Sequence, residues 1–176
     1  MKTRDLIKVL DTLDKQGIWA FRYSSLKLRF QQSDRALLKS LSAHQKNGYV
    51  LKVAKGLYVN PRARSLPPDI LPALVPWLRP FEMNYVSLES ALSDYGRISQ
   101  VPGRLTIMST GKSWLQRTPY GDIEFVHTRR NLANLKEQLL ETPVAGLYRA
   151  TESVAVRDLK RVGRNTGLLQ DRGDDS

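Results

Sequence analysis

The chain has 176 residues, is 41% hydrophobic, and carries 28 Lys and Arg against 17 Asp and Glu, a net charge of +11. That length accommodates one large domain or two small ones with real cores, and the absence of cysteine excludes a disulfide framework and thiol catalysis and fits a reducing cytoplasm. The longest apolar run, Ile70 to Leu78, is broken by Pro72 and Pro76 and falls short of the roughly 20 residues that a bilayer span needs, while Arg4, Asp5 and Lys8 interrupt the apolar core of any export signal. The sequence therefore predicts a cytoplasmic protein without membrane segments.

The charge is unevenly divided. Residues 1 to 65 hold fourteen basic residues against four Asp, a balance of +10, whereas residues 66 to 176 are balanced to within +1. Positive charge concentrated in one third of a chain is the electrostatic footprint of a polyphosphate partner, because neutralising phosphates releases their counterions.

In chain order, Leu6, Ile7, Val9, Leu10 and Leu13 recur at helical spacing between a cap at Thr3 and a stop at Gly17, predicting a helix over 3–16. IWAFRY, residues 18–23, is short and aromatic and reads as a strand. A short helix opening at Ser24 or Ser25 runs to Phe30, a polar turn offers Ser33 or Asp34 as the next cap, and a longer helix spans about 34–47 and stops at Asn47-Gly48. YVLKV and GLYVN then form a hairpin around Ala54-Lys55-Gly56, where Gly56 supplies the positive φ of a tight turn. Helix, short strand, helix, turn, helix and hairpin is the order of a winged helix-turn-helix, and each element carries its own local signal.

NPRARSLPPD, residues 60–69, marks a domain boundary by its Pro and Arg content. Beyond it, VPWLRPF reads as a buried connector, residues 87–96 as a helix with a serine cap and Gly96 as stop, and 104–110 and 122–128 as strands joined by a loop with a Pro119-Tyr120-Gly121 turn. Residues 131–141 read as helical, Gly146 to Ala150 is ambiguous, and 151–163 forms a last amphipathic helix. The expected fold is α+β: a winged helix-turn-helix domain over 1–65, a mixed α/β domain over 66–170, and a polar tail over 171–176.

On the third helix, Arg35, Lys39, Ser42 and Lys46 fall within about 60° of one another at about 100° per residue. Leu37, Leu41 and Leu38 fall towards the other side, so the helix can bury leucines while projecting a polar stripe. Such a stripe can enter the major groove of double-stranded DNA, where Arg and Lys donate to guanine O6 and N7 and Ser contacts phosphate or base. Lys52 and Lys55 on the hairpin, with Arg62 and Arg64 just after it, are placed to contact backbone or minor groove, and Arg22, Lys27 and Arg29 around the second helix to clamp phosphates on the other flank. Lysine on an edge strand also blocks sheet aggregation. Tyr49 and Tyr58 read as packing residues.

Catalytic signals are weak. Gly111-Lys112-Ser113 resembles the end of a phosphate-binding loop, but Thr106 stands where the first glycine belongs. Asp122 and Glu124 share a strand face suited to Mg²⁺, yet Val126 replaces the lysine that a restriction-type nuclease needs, and His127 has no nearby Cys or third ligand. No catalytic residue, metal ligand or cofactor is assigned.

With these motifs placed, the chain resembles the AbiEi-family antitoxins of type IV toxin–antitoxin systems. KNGYVLKVAKGLYVNP resembles the family's wing, residues 85–111 the start of its second domain with a Ser-Leu-x-Ser-Ala-Leu helix, and YGDIEFVHTRR the strand that follows. ATESVAVRDLKR resembles a helix usually written Pro-Glu-Lys-Ala-x-x-Asp, with Glu152 and the Ala155-x-x-Asp158 spacing present and Thr151 and Ser153 departing from it. The resemblance implies an autorepressor that binds operator repeats and counteracts a nucleotidyltransferase-like toxin, with or without a stable complex. A plain winged-helix regulator with a ligand-sensing or dimerisation domain, and a nuclease recruited to DNA, are the alternatives.

Overall fold

A computed structural model describes residues 1–130 and 132–170; the polar tail and Asn131, at the start of the expected 131–141 helix, lie outside the described residues. The chain is mixed α and β, with seven α-helices and two sheets among those residues. It divides into two compact units, one comprising Met1–Ile70 and Arg117–Tyr120, the other Leu71–Gln116 and Gly121–Ser176.

The first unit runs α1 (Thr3–Lys15), β1 (Ala20–Arg22), α2 (Tyr23–Phe30), α3 (Asp34–Lys46), β2 (Leu51–Ala54) and β3 (Leu57–Val59). Lys2, not Thr3, occupies the N-cap of α1, and no side chain caps it. The expected periodicity of α1 buries Leu6, Val9 and Leu10 against Leu26 of α2 and Leu37 and Leu41 of α3. The strands form a three-stranded antiparallel sheet in the order β1-β3-β2, so β3 is central and all three of its residues are buried. Phe21 and Tyr58 are register partners whose rings stack 6.0 Å apart, closing the sheet onto the helical core. Tyr58 is accordingly a packing residue.

The second unit contains most of a six-stranded mixed sheet in the order β6-β7-β5-β4-β9-β8. Its strands are β4 (Asn84–Val86), β5 (Leu105–Ser109), β6 (Trp114–Thr118), β7 (Gly121–His127), β8 (Leu139–Glu141) and β9 (Leu147–Ala150). Inner strand β4 pairs antiparallel with β5 and parallel with β9, and β5 pairs parallel with β7. The helices are α4 (Ile70–Leu78), α5 (Leu88–Asp94), α6 (Leu132–Lys136) and α7 (Glu152–Val162), followed by a single 3-10 turn over Thr166–Leu168.

Several sequence expectations are corrected here. The start of the connector is the end of helix α4: Pro72 falls in its first turn, where a missing N–H costs no helical bond, and the helix ends two residues after Pro76. Phe81, at the end of that connector, is 97% exposed. The helix expected over 131–141 stops at Lys136, and Leu139–Glu141 instead form β8, because Leu139, Leu140 and Glu141 find backbone partners in Ala150, Arg149 and Tyr148. Those same partners resolve the ambiguous Gly146–Ala150 stretch as β9. β4 and the edge strand β6 were not anticipated. No described helix is long and apolar enough to cross a membrane.

Candidate nucleic-acid interface

The turn between α2 and α3 is built by local chemistry. Gln31 ends α2 in the left-handed region at φ 44°, and Ser33 starts α3 as N-cap with its hydroxyl accepting from the Ala36 N–H at 3.4 Å. Asp34 in the first turn accepts from the Tyr23 hydroxyl at 2.7 Å, and the Lys27 ammonium lies 2.9 Å from the same carboxylate oxygen. These contacts fasten the start of α3 to α2 through side chains.

The Tyr23 hydrogen bond, and after it Lys27, holds the Asp34 carboxyl below its ordinary value of 3.8, while the same bond pushes the Tyr23 phenol up to about 12. A carboxylate with a depressed folded pKa contributes stability above its unfolded value that is lost as pH falls through the folded one. Urea denaturation should therefore show that Asp34→Asn removes stability at neutral pH and that its difference from the wild type narrows below pH 3.8. A gap that stayed constant into that range would show that Asp34 acts otherwise than as a carboxylate.

Along α3, Leu37, Leu41 and His44 are buried, while Arg35, Lys39, Ser42 and Lys46 are all exposed on one face. Among the described residues, these three cations enter no ion pair. Leu38 departs from the sequence reading. The wheel groups it with the apolar side, but it is 49% exposed, because about 300° lies nearer the polar stripe than the core.

The hairpin carries its lysines outward. Lys52 is exposed opposite Tyr58, the register shifts between Lys52 and Ala54, and Lys55 and Gly56 form the turn, with Gly56 at φ 70°. The Gly56 carbonyl accepts from the Tyr23 N–H at 2.8 Å, which fixes the turn beside the start of α2. The lysine turn, the α2 start and the Asp34 tie thus meet through Tyr23.

The remaining basic residues behave differently from one another. Arg22 is exposed on β1 opposite Leu57, and Arg29 is exposed in the last turn of α2. Lys27 is engaged by Asp34, with both side chains about half exposed. Arg62 lies with its guanidinium 4.5 Å over the Tyr49 ring, which stands nearly perpendicular to the His44 ring on α3. Arg64 is exposed, but its backbone N–H and that of Ser65 both donate to Asp14 at 2.9 Å. Tyr23 and Asn60, whose side-chain oxygen accepts from the Arg62 N–H at 3.1 Å, were missed as positioning residues because neither has a charge or a period to mark it.

In the second unit, the residues that carry the sequence resemblance are joined to one another. Asp158 of α7 is fully buried and accepts from Ser87 Oγ at 2.8 Å and Tyr85 Oη at 3.1 Å. An Arg130 nitrogen stands 2.9 Å from its other oxygen, an ion-pair contact out of line for a hydrogen bond. Burial pushes the Asp158 carboxyl up, against the opposing pull of Ser87, Arg130 and Tyr85. Ser90 and Thr106 bond reciprocally, Thr106 N–H to Ser90 Oγ at 2.8 Å and Ser90 N–H to Thr106 Oγ1 at 3.0 Å. Both serines of Ser-Leu-x-Ser-Ala-Leu therefore hold α5 in place. Leu88 between them sits at φ 54°, an uncommon conformation for a side chain of its size.

Of the acidic pair Asp122 and Glu124, Glu124 receives Arg164 Nη1 at 2.6 Å and Nη2 at 3.0 Å, and the same guanidinium donates to Glu89. Gly111 stands against the Arg79 guanidinium, which stacks 4.3 Å over Phe125, so the glycine in Gly-Lys-Ser makes room for a buried arginine. Among the described residues, no group of three or more His, Cys, Asp or Glu is arranged to hold a metal ion.

Comparison of the chain with protein-family models, curated proteins and solved structures returns no match.

Proposed function

We propose that the first unit is a winged helix-turn-helix that binds double-stranded operator DNA, with α3 as its reading helix and the β2–β3 hairpin as its wing. The carrying observation is the exposed face of α3, on which Arg35, Lys39, Ser42 and Lys46 stand opposite buried Leu37, Leu41 and His44. The charge balance of the first 65 residues supports it, since a surface of this sign gains counterion release on a duplex. By its resemblance to AbiEi antitoxins, the protein represses its own operon in the bacterial cytoplasm and counteracts a nucleotidyltransferase-like toxin. It does so without catalysis of its own.

The DNA reading is tested by selecting duplexes from a random pool with the full chain and measuring affinity by fluorescence anisotropy over a salt series. Sequence-selective binding whose logarithm falls linearly with log salt is expected. Equal affinity for selected and scrambled duplexes would refute it. Co-expression with a nucleotidyltransferase-like toxin, scored by growth, tests the antitoxin role separately. Lys55→Ala, at the hairpin tip, should weaken all duplexes alike and lower the salt slope by about 1. A change of base preference at constant slope would instead make Lys55 a base contact.

A further inference from the structure

We propose that Leu38 reads thymine, by packing its side chain on the C5-methyl group exposed in the major groove. This rests on the assignment of α3 as the reading helix. Leu38 precedes Ser42 by one helical turn and follows Arg35 by three residues, so the three side chains are surface neighbours. It is 49% exposed, whereas Leu37 and Leu41 on the same helix are 0% and 1% exposed, so about half of its apolar surface is open on the face beside the polar stripe. Leu38 also lies in the first half of α3, near the Ser33 cap, and the N-terminal part of a reading helix is the part that meets base edges. Between hydrogen-bonding Arg35 and Ser42, an aliphatic group matches the one apolar feature of the major groove, the thymine methyl. Arg35 and Lys39 can distinguish guanine; Leu38 supplies discrimination that no donor or acceptor provides.

The test uses the full chain and the duplex it selects, resynthesised with deoxyuridine replacing thymine one position at a time, which deletes only the methyl. At one or two positions, wild-type affinity should fall about three- to tenfold. Leu38→Ala should bind the thymine duplex correspondingly more weakly and lose most of its discrimination against deoxyuridine at those positions, with thermal stability nearly unchanged. Sequence-selective binding that ignores every deoxyuridine, a selected site without thymine, or the same thymine preference in Leu38→Ala would overturn this proposal alone. A change in sedimentation coefficient with the thymine preference intact would place Leu38 in a protein contact and also overturn it. Absence of any sequence preference would remove the DNA reading itself.

Discussion

Asp158→Ala is expected to destabilise the protein by about 3–5 kcal/mol, the range for removing one member of a buried charged pair. The substitution leaves the fully buried Ser87 and Tyr85 hydroxyls without their acceptor and the largely covered Arg130 without its counterion. Asp158→Asn keeps one acceptor oxygen for the two hydroxyls and should lose less. Because burial raises the folded pKa of Asp158, its own linkage runs opposite to that of Asp34. The stability it contributes is fully present below the unfolded pKa and declines as pH rises through the folded one. Urea denaturation of the full chain, followed by circular dichroism, measures both effects. A loss under about 1 kcal/mol for Asp158→Ala would mean that this region relaxes to let water in.

At a selected duplex, Arg35→Ala or Lys39→Ala should each cost about 1–3 kcal/mol and relax base preference at the position contacted. Both residues are exposed on the first half of α3, and neither forms an ion pair among the described residues, so each is available to a base edge. Arg35→Lys separates two kinds of contact. A bidentate guanidinium contact loses most of its discrimination on that change, whereas a simple charge contact to phosphate retains its affinity. Wild-type affinity and selectivity in both alanine variants would remove α3 from the interface. Lys27 provides a comparison within the protein: held by Asp34, it should contribute less to binding than Lys39.

What the sequence makes legible follows the range of the forces involved. The helices of the first unit, the Ser33 cap and the Gly56 turn depend on neighbours within a few residues, and periodicity and cap chemistry locate them to within a residue or two. The expectations that fail depend on distant partners. Leu139–Glu141 have helical propensity and become a strand because β9 offers them a ladder, and Asn84–Val86 form an inner strand from three residues with no period of their own. At the candidate interface, the wheel placed Arg35, Lys39, Ser42 and Lys46 on one face, since that depends on helix geometry alone. It could not foresee that Lys27 pairs with Asp34 or that Arg62 stacks on Tyr49, because those contacts arise only when separate elements meet.

The central place of β3 sets an order on assembly. Its pairing with β2 closes only the short Lys55-Gly56 turn, whereas its pairing with β1 must close a loop containing all of α2 and α3. The hairpin can therefore form early as a local event, and the β1 edge bears most of the loop-closure entropy. Until that edge docks, Tyr23, the next residue after β1, is not held against the Gly56 carbonyl, and Asp34 has no fixed hydroxyl to engage. The face of α3 that carries Arg35 and Lys39 therefore takes its final orientation only once β1 has paired with β3 and set Tyr23 in place.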